Sequence, residues 1–322
     1  MTQYKKSFPK LEEISAWLNK KYSTSVTGLS PIAGGFWSAA YTFTHDSVEY
    51  VLRFNESGEG FAIDTAAMRF ASTHLPVPEV TETGETLGLQ YAISKRHYGQ
   101  FIEETEAQEG DAVGSALAHL LVALRAAPTT KEDVVVWYDP DVAGDLTWRG
   151  WLTSGLIDNP DNVVSGWRAK LAAIEPIDTL FNTCEARIHE LLPFCPERRD
   201  LIHGDLLHQN VLVSEDASEV TAIFSWKCSA LGDFLYDVAW CTFWKDWHPG
   251  IAASDIWNRT LAAADLTQED LRHARLRHHC YELQIGATHL GWNAWVDNRD
   301  DLEAVAAVLK RTLANGPQSP IT

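Results

Sequence analysis

The run Leu201–Val213, LIHGDLLHQNVLV, places an aspartate and an asparagine between two apolar segments. Asp205 follows His203 and Gly204, and Asn210 stands five residues further on, just ahead of Val211–Val213. Phosphoryl transfer needs groups of these types. One carboxylate orients an incoming hydroxyl and takes its proton, while oxygen ligands hold the Mg²⁺ that offsets the charge of the phosphates. Magnesium favours hard oxygen donors, and an amide oxygen is one. A loop with Asp205 at its start and Asn210 near its end presents both groups on one side. HxD alone reads more readily as a polar turn between strands; the whole HxDxxxxN between apolar runs favours the chemical reading.

Such a loop needs a scaffold. Leu11, Ile14, Trp17 and Leu18 recur at helical spacing, and Lys20 and Lys21 close the helix. Three β-rich segments follow, Val26–Ala33, Ala39–His45 and Glu49–Asn55. In the middle one Tyr41 and Phe43 point one way, Thr42 and Thr44 the other. Residues 61–74 read as a helix burying Phe61, Ala67, Phe70 and Ala71, stopped by Pro76 and Pro78. Strands Glu79–Glu82 and Leu89–Lys95 are expected to join through a turn around Gly84. From Gly110 the pattern becomes helical: Val113, Leu117, Leu120, Leu121 and Leu124 share a face that Pro128 ends. Trp137, Trp148, Trp151 and Trp167 lie in a tract of part loop and part helix. Val211–Val213 and Val220–Phe224 read as strands parted by the turn Ser214–Ser218, and helices run from Ala239 to about residue 314. The expected fold class is α+β: a small antiparallel-sheet lobe over 1–96, a hinge over 97–110, and a larger mostly helical lobe over 111–322. A small ligand is expected in the cleft between two such lobes.

Composition removes other classes. The chain has 322 residues, with 26 Lys plus Arg against 44 Asp plus Glu, a net charge of −18. Apolar residues at 45% and charged ones at 22% speak against wholesale disorder. The longest amphipathic stretch, Ala116–Ala127, is broken by His119 and Arg125, so no membrane span is expected. The start lacks the apolar centre of a secretory signal. Five cysteines, none spaced as CxxC, argue against a disulfide framework or a zinc site and fit a reducing cytoplasm. The acidic balance speaks against a nucleic-acid partner.

HGDLLHQNVLV, the strand TAIFSW and the block GDFLYDVAW resemble the aminoglycoside phosphotransferase family of kinase-like enzymes. YVLRFNESGEGF, FASTHLPVPEV, YAISKR and, more loosely, AWVDNRDDL carry the resemblance over residues 26–314, poorest across 127–170. It implies a two-lobed kinase-like fold that uses ATP, or GTP, with Mg²⁺ to phosphorylate a hydroxyl of a cationic aminoglycoside antibiotic, conferring resistance. Asp205 is implied as catalytic base, Asn210 as Mg²⁺ ligand, and His203 as a brace of the loop. Gly34 and Gly35, with Ser38, would cover the phosphates through backbone N–H groups. Where the family places a strand lysine paired to a helix acid, this chain offers Arg53 and Asp64; Arg can hold phosphate bidentately. Ser94, Lys95 and Arg96 would form the hinge that meets adenine through its backbone. Asp233 is expected to anchor the catalytic loop and Asp237 to cap or brace the next helix.

One departure stands out. The family ends the strand after the loop in a metal-binding aspartate; here Ser225 takes that metal position. A neutral hydroxyl supplies no charge, and losing one preorganised stabiliser typically costs about 10²–10³ in rate. Natural loss, an engineered change and a tolerated variation are all open. Lys227, two residues on, is a further candidate to meet a phosphate.

For the acceptor, the C-terminal helical region offers Glu282 and the group Asp297, Asp300 and Asp301, since carboxylates attract a polycation. Trp244, with Trp240, Trp247 and Phe243, is a sugar platform or simply core. His273, His278 and His279 lack ligand-spaced partners for a metal. Monomer and homodimer both fit. A different small-molecule acceptor (a peptide antibiotic, a nucleoside or a metabolite such as choline) and a non-catalytic nucleotide binder are the rival readings.

Overall fold

The computed structural model describes residues 8–32, 34–130 and 147–317; Ala33 and Trp137, named above, lie outside these. Two compact units emerge. One takes in Tyr4–Glu104 and Asp205–Cys228, the other Thr105–Gly204 and Ser229–Thr322.

The first unit begins with helix α1 (Leu11–Tyr22). Its acidic first turn and basic last turn complement the helix dipole, and Ser23, at φ 57°, ends it in the left-handed region. Strands β1 (Thr27–Ile32), β2 (Ala39–His45), β3 (Val48–Asn55), β4 (Val80–Thr86) and β5 (Leu89–Lys95) form one antiparallel sheet in the order β1-β2-β3-β5-β4. The two-residue alternation sorts its faces. Tyr41 and Phe43 of β2, Leu52 and Phe54 of β3, and Tyr91 and Ile93 of β5 bury themselves with Ile14 and Leu18 of α1 in one core. Removing each such side chain from water stabilises the fold by about 1.5–3 kcal/mol. The intervening residues belong to the other face, where Ala40, Arg53 and Ala92 stand in register. Small residues flank Arg53 on both sides, and its guanidinium lies 5.2 Å from the centre of the Phe61 ring.

Two local expectations are corrected. Gly84 is not a turn but lies inside β4, opposite Tyr91. A Cβ there would come within 2.9 Å of the Tyr91 ring, so the glycine makes room for an aromatic neighbour. The reversal falls instead at Leu87-Gly88, both at positive φ. Helix α2 spans Glu59–Ala67 and continues only as a 3₁₀ turn over Met68–Phe70, not to residue 74. Ala71 turns extended (ψ 130°), and Ser72 and Leu75 exchange backbone hydrogen bonds of 3.0 and 3.1 Å in place of further helix.

The same unit holds a second sheet, β6 (Gln100–Phe101), β8 (Val211–Val213) and β9 (Val220–Ile223), in the order β6-β8-β9. Gln100 pairs with Val213 and Phe101 with Leu212. This pairing groups the loop 205–210, which leads into β8, with the N-terminal residues. The sequence placed that loop in the segment 111–322. The reason is physical: all of β8 is buried, and its apolar residues find their ladder partners in β6 and β9.

The other unit is mostly helical: α3 (Gly110–Ala126), α4 (Trp148–Ser154), α5 (Trp167–Ala172), α6 (Glu175–Leu191), α7 (Leu235–Trp244), α8 (Pro249–Ala252), α9 (Ile256–Ala263), α10 (Gln268–Leu271), α11 (Ala274–Trp295) and α12 (Arg299–Asn315). The long α11 packs against α5, α6, α7 and α12. A short ladder joins β7 (Asp200–Ile202) to β10 (Ala230–Gly232). Trp148 is buried, and Gly232 lets its ring lie against the backbone. Among the described residues no helix is long and apolar enough to cross a membrane.

Candidate active site

β7 delivers the chain to His203 and Gly204, whose N–H groups both donate to Asp237, at 2.7 and 2.8 Å. Asp205 comes next. Asn210 Nδ2 donates to the Asp205 backbone oxygen (2.8 Å), to Asp205 Oδ2 (2.9 Å) and to the Leu207 carbonyl (2.9 Å). That arrangement commits the amide nitrogen to the loop and makes Asn210 Oδ1 the atom left to meet a cation. Asp205 Oδ1 lies 2.7 Å from His208 Nδ1. Burial pulls the His208 pKa down, but the hydrogen bond to Asp205 and the charges of Asp205 and Glu103 outweigh it, and the imidazole ends above its ordinary value. The backbone N–H of Gln209 donates to Glu103 Oε1, while Glu103 Oε2 is shut from water with no hydrogen-bond partner. Burial raises the Glu103 pKa.

Every residue expected to meet the nucleotide or metal lies in this unit. Arg53 Nη2 is 2.6 Å from Asp64 Oδ2, and the Trp226 N–H donates to Asp64 Oδ1 at 2.9 Å. Asp64 therefore ties the β3 arginine to the residue beside Ser225. Ser225 itself is at φ 70°, and the N–H of its neighbour Phe224 donates to the Asn210 carbonyl at 3.0 Å. Gly34-Gly35 and Ser38 form the turn between β1 and β2, where Ser38 N–H meets Gly35 O at 3.3 Å. A Cβ on Gly34 would fall 2.8 Å from the Ser38 carbonyl, so the turn requires glycine there. The hinge expectation narrows. The Arg96 N–H, expected to serve a nucleobase, donates to Glu49 O at 2.9 Å. Ser94 is buried in β5, and Lys95 stands 3.5 Å from Glu79. Lys227, the further phosphate candidate, pairs with Glu59 at 2.8 Å, both side chains being exposed.

The second unit corrects the roles of its two acids. Asp233, expected to anchor the loop, is wholly buried and accepts from Arg277 Nε (2.7 Å) and Nη2 (3.0 Å), Tyr281 Oη (2.7 Å) and the Leu235 N–H (3.2 Å). It braces α7 against α11. Asp237, expected to serve the helix, is the acid that holds the residues just ahead of Asp205. Spacing put both near the loop, but only coordinates show which backbone each meets.

The acceptor candidates do not form one group. Glu282 accepts from Thr242 Oγ1 at 2.8 Å and lies 3.7 Å from His278 Nδ1. It sits mid-way along α11, whereas Asp297, Asp300 and Asp301 follow its end, roughly 20 Å further at 1.5 Å per residue. Asp297 is held by Lys170 at 2.8 Å, which lowers its pKa, and Asp301 closes the cap of α12 with Asn298. Asp300 is exposed in the first turn of α12. Trp244 is 7% exposed and packs edge-on against Phe243, Trp247 and His289, which makes it core rather than a sugar platform. All five cysteines are free thiols, and the described residues include no cluster of three or more His, Cys, Asp or Glu fit for a metal.

The donor set suits Mg²⁺ in one respect. It is all oxygen, from Asn210 Oδ1 and the Ser225 hydroxyl, and this cation usually keeps several waters and takes one or two protein ligands besides substrate phosphates.

A five-stranded antiparallel sheet followed by a mostly helical region, with an Asp–Asn loop before a short strand, defines a kinase-like phosphotransferase. The chain belongs to the phosphotransferase enzyme family (APH), whose model matches residues 28–277. Hygromycin-B 4-O-kinase from Escherichia coli is 32% identical over 240 residues, which cover 73% of this chain and 67% of that relative. A crystal structure of a thermostable mutant of aminoglycoside phosphotransferase APH(4)-Ia, in ternary complex with AMP-PNP and hygromycin B, is similar with a TM-score of 0.77 at 25% identity, covering 95% of this chain and 99% of its own. The GDP complex of wild-type aminoglycoside 2'-phosphotransferase-IIIa shares the fold, with a TM-score of 0.61 at 14% identity, covering 95% and 99%.

Proposed function

We propose that this enzyme moves the γ-phosphoryl group of ATP to a hydroxyl of an aminoglycoside such as hygromycin B. The observation that carries this reading is the pair Asp205 and Asn210, joined at 2.9 Å on a loop within the matched family region. The relatives support the substrates: one is named for hygromycin B, and another was solved with that antibiotic and an ATP analogue.

Asp205 accepts a hydrogen bond from the acceptor hydroxyl and takes its proton as the oxygen attacks the γ-phosphorus. The bond from phosphorus to the β–γ bridging oxygen breaks, and ADP leaves with that electron pair. Arg53 steadies the phosphates, its charge set in place by Asp64, and the Gly34-Gly35 turn offers backbone N–H groups to them. Asn210 Oδ1 and Ser225 would hold Mg²⁺, which supplies charge neutralisation of the phosphates when bound. Ser94 and Lys95 would meet the base. Glu282, partly exposed on α11, is the acid we propose for an acceptor ammonium.

Mass spectrometry of hygromycin B incubated with the protein, ATP and Mg²⁺ tests this: one added phosphoryl group is expected, formed about 10²–10⁴-fold more slowly with Asp205→Asn. Transfer to an unrelated acceptor alone would overturn the substrate. The position of Ser225 favours one second reading, a nucleotide-binding form with weakened catalysis. Under it, Ser225→Asp raises the rate by about 10²-fold or more; equal rates in the two proteins refute it.

A further inference from the structure

His208 and Glu103 are absent from the roles assigned so far, yet both meet the loop that carries Asp205. His208 and Gln209 are consecutive non-glycine residues at φ 65° and 64°, a conformation that L-residues rarely adopt. The strained pair is fastened where Glu103 Oε1 accepts the Gln209 N–H. The result of the excursion is local: it turns the His208 ring back so that Nδ1 lies 2.7 Å from Asp205 Oδ1. On the other side Asn210 Nδ2 holds Asp205 Oδ2 at 2.9 Å. With each oxygen engaged by a different side chain, the plane and rotamer of the carboxylate are set. Strain of this kind persists only where neighbouring structure over-determines it, and it gathers at functional sites. The His208 side chain is 48% exposed.

We propose that His208 is a positioning residue for phosphoryl transfer: its Nδ1–H fixes the Asp205 carboxylate in the orientation that receives the acceptor's proton, with Glu103 pinning the turn that brings the ring there. This rests on the reading of Asp205 as the base. Either a neutral or a charged ring donates this hydrogen bond, so the protonation state of the ring is not what matters.

The test uses two variants of the full chain. His208→Leu keeps bulk and removes the donor; His208→Asn restores an N–H close to the place of Nδ1. Steady-state kinetics with ATP and hygromycin B, together with a melting curve, give the readouts. Misplacing a reacting group by about 1 Å costs up to roughly 10²-fold. His208→Leu is therefore expected to lower kcat by about 10–100-fold, with both KM values within about twofold of the parent and an unchanged Tm. His208→Asn should recover most of that loss. Parental kcat in His208→Leu overturns the proposal. So does a loss that Asn fails to restore, or one confined to KM. Asp205→Asn separates the two levels. If it is inactive while His208→Leu is fully active, only the positioning role falls; if Asp205→Asn keeps its rate, the base itself was misassigned and the proposal falls with it.

Discussion

Asp205 and Asp233 each follow a glycine, and each comes within three residues of the end of a short strand, yet the two units treat them differently. Asp233 is enclosed and accepts four hydrogen bonds, three of them from Arg277 and Tyr281. Asp205 keeps 21% of its side chain exposed, between Asn210 and His208. A carboxylate saturated by buried donors works as a brace, because leaving any of those donors unpaired is costly. A carboxylate that is held yet still open to solvent can take a proton from something that arrives. Burial and partner count separate the acid we propose as the base from the structural one where sequence context makes them look alike.

The contrast can be broken most severely at Asp205. Asp205→Asn is expected to cut phosphate transfer by about 10²–10⁴-fold, the usual worth of a positioned general base, while leaving Tm nearly unchanged; a Tm collapse would make this acid structural as well. Next in size is Arg277→Met, which strands Asp233 in the interior. Removing one partner of a buried ion pair costs about 3–5 kcal/mol, to be read from urea unfolding, and a loss below about 1 kcal/mol would refute the brace. Asp237→Asn sharpens the comparison further, since one of the two N–H groups at His203 and Gly204 loses its acceptor. About 1–3 kcal/mol of stability should go, and kcat should fall with KM for ATP held. The smallest effect applies the same logic to a buried base. Burial, with Arg187 and His278 nearby, lowers the His279 pKa to about 4. Its unfolded chain then binds the proton first, so the contribution is complete above pH ~6.5 and drains as pH falls toward 4. At pH 5.5 the loss is about 1 kcal/mol, and His279→Gln should flatten that slope in melts across the window.

Much of this was legible in the residues. Tyr41 and Phe43 announced the buried face of β2, and Ile14 and Leu18 the helix that covers it, because a side chain's direction follows from spacing alone. That Asp205 and Asn210 would meet, as they do at 2.9 Å, was legible because the proposed chemistry calls for both their types and their separation. Gly84 misled, since a glycine that makes room for a ring across the sheet looks in sequence like one that turns the chain. Asp233 and Asp237 exchanged roles because partners such as Arg277, 44 residues away, leave no local trace. His208 was missed for a different reason. Its importance lies in a left-handed backbone, which no periodicity encodes; the only available signal was an additional histidine inside the Asp–Asn interval.

The ladder between Gln100 and Val213 spans 113 residues of chain. A nascent polypeptide leaving the ribosome therefore carries a finished first sheet, and β6 with it, long before the turn at 205–210 has been made. Maturation of that turn comes late, and any product terminated upstream of residue 213 is an empty platform, however well its first hundred residues have folded.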